Sequence, residues 1–317
     1  VEGPGKVFPV SDRATDVLGA LLDALRESGA DLALSEPASG VQRRDDGRFD
    51  IVTPRRTVTA RAVIVTTGGL SYPGSGTTGD GYAVARQFGH TIVPPRPALT
   101  PITSPAAWVA GLRGITLPDV TLTLTGATPQ PTTRRGSLLF AHFGLTGPVA
   151  LDLSRFISGH ATPALLTLTA DLMPDSTAEQ LDVWLQQQSL DAGRKLLANV
   201  LAERLPHRLA EVALEQAGLA ADRRAAGLAK ADRRRVVELL KRLPIPVSGT
   251  LGFAKAEVTA GGVDLREVHS KSLESKRAAG LYFAGEVLDL DGPIGGYNFQ
   301  AAWSTGWLAG QSAASRT

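Results

Sequence analysis

The spacing of apolar positions changes several times along this chain, and each change predicts an element. Val17, Leu18, Leu21, Leu22 and Leu25 recur at helical spacing, so residues 11–28 read as a helix capped by Ser11 or Asp12 and ended by Gly29. "ADLALSEP" reads as a short strand. Residues 40–67 read as a three-stranded meander that turns at Asp46-Gly47 and again at the "PRR" of 54–56, with Val63 to Val65 as a buried strand. A helix is expected over 79–89, ending at Gly89.

"PPRPALTP" (94–101) breaks the composition and marks a domain crossing. Beyond it "VTLTLTG" alternates apolar and polar residues as a strand does. "GSLLFAHFGLTGPVALDLS" reads as a strand, a glycine turn and a further segment, and "ALLTLTADLMP" as another strand. Residues 176–243 are rich in Ala, Leu, Arg and Gln and read as several helices, which "LPIPVSGT" brings to an end. "KAEVTAGGVDL" and "GLYFAGEVLD" are strand-like, and "NFQAAWSTGWLAGQSAA" is a final helix. An α/β pattern is thus interrupted by an all-β and then an all-α stretch before it resumes. That order predicts one discontinuous α/β domain carrying two insertions.

Composition narrows the class. With 43% hydrophobic and 20% charged residues the chain is globular rather than disordered. No apolar run reaches the ~18 residues of a membrane helix, and no charged-then-apolar leader pattern opens the sequence, so a cytoplasmic protein is expected. The absence of cysteine excludes disulfides, thiolate metal sites and cysteine nucleophiles. His90, His142, His160, His207 and His269 form no pair with metal-ligand spacing, so no metal is expected. No G-x-S-x-G elbow is present, which argues against an α/β-hydrolase. The 33 basic residues nearly balance the 31 acidic ones, unlike a dedicated nucleic-acid binder.

"VIVTTGGLSYPGSGTTGDGYAVA" (63–85) contains a G-x-G-x-x-G at Gly74, Gly76 and Gly79. A dinucleotide fingerprint places its first glycine directly after a strand and an acid about 20 residues further on. Here Gly74 follows the strand end at Thr67 by seven residues, and 95–101 offers Arg96 but no carboxylate. The loop is read instead as a secondary portion of a cofactor cradle. Thr67 ends the strand, Gly68 and Gly69 admit close backbone approach, and Ser71 lies in the same loop. Thr77 or Thr78 caps the helix, so that Gly79 and Asp80 present free amides to an anionic or carbonyl oxygen. A plain glycine-rich surface loop is the alternative.

The stretch 280–310 carries more information. An apolar strand runs into Gly285-Glu286, turns through "DGPIGG" and enters a helix at "YNFQ". In flavoprotein folds a carboxylate at such a strand end accepts hydrogen bonds from ribityl or ribose hydroxyls. The N-terminus of the following helix faces the flavin pyrimidine, where negative charge builds on reduction. Glu286, Asp289, Gly295, Gly296 and the amides of Asn298, Phe299 and Gln300 fit those roles, and Tyr297 could stack or donate nearby. A turn with solvated carboxylates is the alternative.

"TTGGLSYPGSGTTGDGYAVARQFGH", "PALTPI", "FAHFGLTGP", "AEVTAGGVDL" and "GLYFAGEVLDLDGPIGGYNFQAAWSTGWLAG", in this order along the chain, resemble the HI0933-like flavoproteins, bacterial NAD(P)/FAD-dependent oxidoreductases. A bile-acid reductase and aminoacetone-oxidase-type flavoproteins are similar. The resemblance implies a glutathione-reductase-like FAD-binding domain built from residues 1–97 and residues 247–317, interrupted by a β domain over 98–173 and a helical domain over 174–246. It implies FAD, NAD(P)H as electron donor, and hydride transfer from reduced flavin to an unsaturated or carbonyl-type acceptor, or the reverse. Family members begin with a βαβ unit bearing the true G-x-G-x-x-G, which these residues do not contain, so a domain truncated at its N-terminus is expected. A non-catalytic remnant lacking the ADP-binding unit is one alternative.

By the same resemblance, Phe8 and Pro9 match a segment near the isoalloxazine ring, with a hydrophobic staple as the alternative. His142, in "FAHFGLTGP", is a candidate proton donor, with a structural turn histidine as the alternative. Residues 220–243 hold eight Lys or Arg against three acids. Arg223, Arg224, Lys230, Arg233, Arg234, Arg235, Lys241 and Arg242 could meet a phosphate backbone or form a solvated helix face. Some flavoproteins of this family are linked to reduction of uridine in ribosomal RNA, so both an RNA and a small-molecule substrate are entertained.

Overall fold

The computed structural model describes residues 7–316. In chain order its elements are α1 (Ala14–Glu27), β1 (Gly40–Arg43), β2 (Phe49–Val52), β3 (Thr57–Ala60), β4 (Val63–Val65), α2 (Asp80–Gln87), β5 (Ile92–Ala98), β6 (Ile102–Thr103), α3 (Ala107–Gly111), β7 (Thr116–Thr125), β8 (Thr132–Ala141) and β9 (Gly144–Thr146). There follow α4 (Pro148–Ser158), β10 (Thr167–Asp171), α5 (Ala178–Asp191), α6 (Leu197–Leu201), α7 (His207–Gln216), α8 (Lys230–Arg242), β11 (Leu243–Ile245), β12 (Gly249–Thr250), β13 (Val258–Val263), β14 (Leu281–Phe283) and α9 (Tyr297–Ala314). They group into two compact units. Of the described residues, one comprises 7–69, 77–94 and 261–316, the other 70–76 and 95–260. β5 and β13, which carry the chain out of the first unit and back, pair with each other.

In the first unit β1, β2 and β3 form an antiparallel meander that turns at Asp46-Gly47, where Gly47 adopts φ +84°. Phe49 of β2 is fully buried and meets Phe88 edge-on at 5.9 Å, and Gln87 Nε2 donates to Val41 O at 2.6 Å, so the meander is fastened to the end of α2. β4 does not extend the meander. It pairs in parallel with β14, whose Leu281, Tyr282 and Phe283 are all buried. Because β14 is the only strand paired with β4 among the described residues, Ile64 of the expected buried strand is 37% exposed.

Several local expectations are corrected. α1 starts at Ala14 behind Arg13, not behind Ser11 or Asp12; the Ser11 hydroxyl is occupied by Asp16. None of the apolar residues of α1 is buried. "ADLALSEP" forms no strand, with Ser35 at φ +53° and Leu32 and Leu34 exposed.

The second unit holds a seven-stranded sheet in the order β11-β10-β7-β8-β9-β6-β12. Alternation places Val120, Leu122 and Leu124 of β7 in the core and Thr121, Thr123 and Thr125 on the other face. Leu153 and Ile157 of α4 join that core. So do Leu181 and Leu185 of α5, Leu209 and Leu214 of α7 and Leu240 of α8. The β and helical stretches expected as separate inserts therefore share one hydrophobic core. Residues 247–260 group with this sheet rather than with the first unit, because β12 pairs with β6.

Among the described residues no helix is long and apolar enough to cross a membrane, and no cluster of three metal-ligating side chains occurs.

Candidate functional site

The site candidates of the first unit begin where its two parallel strands end. Val65 pairs with Phe283, and Ala284 N–H donates to Val65 O at 3.1 Å, so residues 66–69 and 284–286 leave the strands at the same end. The carboxyl ends of parallel strands are where α/β folds collect ligands. Gly68 (φ +74°) and Gly285 (φ +75°) both take the left-handed conformation that glycine adopts freely. Gly285 N–H donates to Thr305 Oγ1 at 2.9 Å, and the Thr305 hydroxyl donates to Ala301 O at 2.6 Å, which ties the turn to α9. Glu286 and Asp289 are half-buried behind it.

α9 opens with Gly296 as its cap, at φ +89° and with no side chain satisfying the first amides. A Cβ on Gly296 would meet nothing within 4 Å, and Gly296, Tyr297 and Phe299 are exposed. Gln300 N–H makes the first bond of the helix, to Gly296 O at 3.0 Å. The forward amides are those of Tyr297, Asn298 and Phe299; the expected use of the Gln300 amide is corrected accordingly. The Gln300 side chain bonds Ser304 at 3.0 Å. The Asn298 side chain turns back, accepting from Gly292 N–H at 2.8 Å and donating to Gly292 O at 3.1 Å. Gly295 lies against the Tyr297 ring, and the rings of Tyr297 and Phe299 are exposed.

The cap expected on α2 is also different. Gly79 is the N-cap, at φ +81°, with no side-chain bond. The Thr77 hydroxyl instead contacts Gly69 O at 2.5 Å and Thr67 O at 3.2 Å, closing the base of the loop. Thr78 and Asp80 are exposed. Gly81 packs tightly against Thr67, Val65 and Val287. Tyr82 beside it is buried, and its hydroxyl has no hydrogen-bond partner among the described residues. Burial first, then the nearby Glu286 carboxylate, pushes the Tyr82 phenol up to about 12, with Asp289 acting in the same sense and Arg86 against it.

These features fit FAD, the cofactor that the sequence resemblance implies. An exposed helix N-terminus without a side-chain cap, two left-handed glycine turns, half-buried carboxylates and a buried hydroxyl without a partner among the described residues all belong to the first unit. Sequence reasoning missed Tyr82, Gly81 and Thr305. Tyr82 reads as one more apolar position on a helix, although it lies in the "GDGY" string that closes the glycine-rich loop.

Other predicted residues lie elsewhere. Ser71 groups with the second unit, where it is 6% exposed and shares a 2.9 Å hydrogen bond with Thr259. Its hydroxyl is engaged in holding the loop, not in presenting a cradle. His142 is exposed at the turn between β8 and β9 and stacks edge-on with Phe143 at 5.0 Å. Phe8 is exposed, and the Pro9 carbonyl accepts Asp12 N–H at 3.0 Å.

The basic stretch is partly structural. Arg233 bonds Asp182 at 2.6 Å, Arg223 pairs with Asp232 at 2.7 Å, Arg235 also pairs with Asp232, and Lys241 pairs with Asp171 at 2.6 Å. Arg224, Lys230, Arg234, Arg235 and Arg242 are exposed.

Comparison with known proteins adds the family. Residues 1–312 match the family described as HI0933-like protein Rossmann domain. Similar proteins include a "Ribosomal RNA dihydrouridine synthase" of Escherichia coli (strain K12), 34% identical over 310 residues that cover 97% of this chain and 74% of the relative. The Haemophilus influenzae protein of the same name is 33% identical over 313 residues, with the same coverage. A "3-dehydro-bile acid delta(4,6)-reductase" of Clostridium scindens is 32% identical over 328 residues, 98% of this chain and 76% of the relative. The chain therefore belongs to the HI0933-like Rossmann-domain family.

Proposed function

We propose that this chain is an FAD-dependent oxidoreductase that uses NAD(P)H to reduce a carbon–carbon double bond conjugated to a carbonyl. The first unit is read as a glutathione-reductase-like FAD-binding domain into which the sheet and helices are inserted. The observation that carries the proposal is the exposed N-terminus of α9 at Gly296, which has no side-chain cap.

When bound, FAD supplies the hydride-transfer chemistry that no side chain provides. The Tyr297, Asn298 and Phe299 amides, at the positive end of an 18-residue helix, would hold an anionic or carbonyl oxygen of the cofactor. The Glu286 carboxylate accepts hydrogen bonds from sugar or ribityl hydroxyls. Gly68 and Gly69 let a ligand approach the backbone, and Gly292 with Asn298 keeps the entry to α9 in one shape. NAD(P)H provides a hydride and solvent a proton, which together saturate the double bond. The proton donor that the sequence offers is His142.

The relatives' names favour this acceptor class. Dihydrouridine is uridine saturated at a double bond conjugated to a carbonyl, and a 3-dehydro-Δ4,6 bile acid carries such bonds as well. Titrating FAD into the purified chain tests the proposal. A protein-shifted visible flavin spectrum that NAD(P)H bleaches is the expected result; no binding would refute it for this chain.

A second reading takes uridine in ribosomal RNA as the acceptor. Two of the relatives carry that name, and exposed Arg224, Lys230, Arg234 and Arg242 could meet phosphates. Its test is salt-dependent binding of a ribosomal RNA fragment, followed by assay of dihydrouridine after incubation with NAD(P)H and FAD.

A further inference from the structure

Tyr82 is 3% exposed, and its hydroxyl is enclosed without a hydrogen-bond partner among the described residues. A fold that needed only the ring could carry phenylalanine here and avoid an unsatisfied buried hydroxyl, which is costly. The hydroxyl also has charged neighbours. Burial and the Glu286 carboxylate, with Asp289 behind it, keep the phenol protonated throughout the neutral range. A protonated phenol therefore lies within electrostatic reach of two carboxylates.

That pairing selects the ligand. Phosphate oxygens accept but do not donate, and they would be repelled by Glu286 and Asp289. An ammonium donates but cannot accept from Tyr82. A hydroxyl does both. It can accept from Tyr82 Oη and donate to a carboxylate, and two neighbouring hydroxyls can do so together.

We propose that Tyr82 is a ligand-binding residue whose Oη donates a hydrogen bond to a hydroxyl of a polyhydroxylated chain, the same chain whose hydroxyls Glu286 accepts from. In the FAD reading, on which this rests, that chain is the ribityl or ribose portion of the cofactor. A Cβ on Gly81 would crowd Thr67, Val65 and Val287, so α2, which carries Tyr82, lies close against the end of β4.

Tyr82→Phe removes one oxygen and keeps the ring. Two measurements decide the matter: the thermal midpoint of the chain without ligand, and its FAD dissociation constant by flavin absorbance. The expected result is an unchanged or raised midpoint, because an unsatisfied hydroxyl is lost, together with ~10-fold weaker FAD binding, equivalent to one hydrogen bond. A midpoint lowered by several degrees would overturn the inference, since the hydroxyl would then have a partner inside the fold, such as an enclosed water. Equal FAD affinity in variant and wild type would overturn it too, while leaving the flavin reading intact. Wild-type chain that takes up no FAD removes both.

Discussion

Gly81 and Thr67 touch where α2 crosses the end of β4. A Cβ built on Gly81 would stand 2.2 Å from Thr67 Oγ1 and 3.0 Å from Val65 Cγ1. This is the close helix–strand packing that a dinucleotide fingerprint assigns to its last glycine. Here it falls two residues after Gly79, outside the G-x-G-x-x-G string. Gly81→Ala is expected to destabilise the chain by about 1–3 kcal/mol through overpacking. Thr67→Ala in the same chain should recover some of the loss. Urea midpoints of the two single variants and the double variant check this.

Glu286→Gln keeps the shape of the side chain and removes its charge. FAD affinity should fall by ~10-fold, about 1.4 kcal/mol, as charge-assisted hydrogen bonds to hydroxyls weaken. An unchanged dissociation constant would withdraw the cofactor role given to this carboxylate.

His90 supplies a pH dependence. It is 4% exposed, its Nε2 lies 2.6 Å from Ser275 Oγ, and its ring meets Phe283 edge-on at 4.8 Å. Ser275 Oγ already accepts the N–H groups of Arg277 and Ala278, so its own proton points at His90 Nε2 and the imidazole is neutral. Burial lowers the His90 pKa; Glu267 at 3.4 Å opposes this, and Arg277 adds to it. The unfolded chain therefore takes up a proton at His90 before the folded chain does. The stability associated with the neutral ring is complete above the ordinary histidine value, near 6.5, and is lost as pH falls below it. Urea midpoints at successive pH values should decline over that range, and the decline should be shallower in His90→Gln.

Arg233 and Arg234 adjoin in sequence and should behave oppositely. Arg233 is 9% exposed and doubly bonded to Asp182, so Arg233→Ala should cost about 2 kcal/mol. Arg234 is exposed, and Arg234→Ala should leave stability within about 0.5 kcal/mol. If ribosomal RNA is the substrate, Arg234→Ala should also lower the salt dependence of its binding by roughly one counterion. Denaturation and a salt titration separate the two effects.

His142→Gln should slow acceptor reduction by about 100-fold if the imidazole supplies the proton, while NAD(P)H-driven bleaching of the flavin stays unchanged. Equal turnover would return His142 to a turn residue.

How far the residues themselves announced these features depended on how local the physics is. β14 and α9 could be read because an apolar run, a glycine–acid pair and a glycine-opened helix are contiguous. The segment around Leu32 and Leu34 has the alternation of a strand, yet a strand exists only through a partner, and the meander beside it is complete without one. Thr77 and Thr78 are good capping residues by type. The carbonyls of Thr67 and Gly69 compete for the Thr77 hydroxyl, and a left-handed glycine takes the cap position. Sheet and helical inserts looked separate because composition changes between them, whereas a shared core is made by side chains far apart in sequence. Tyr82 gave no signal, since the lack of a partner for its hydroxyl is a property of the fold and not of the residue.

The paired strands β5 and β13 have a consequence for how much change the chain tolerates between them. A Cβ on Gly261 would lie 2.5 Å from Pro94 O, so the two ends of the 95–260 stretch run side by side. A stretch whose two ends lie together can change in length or charge without rethreading the strands that flank it.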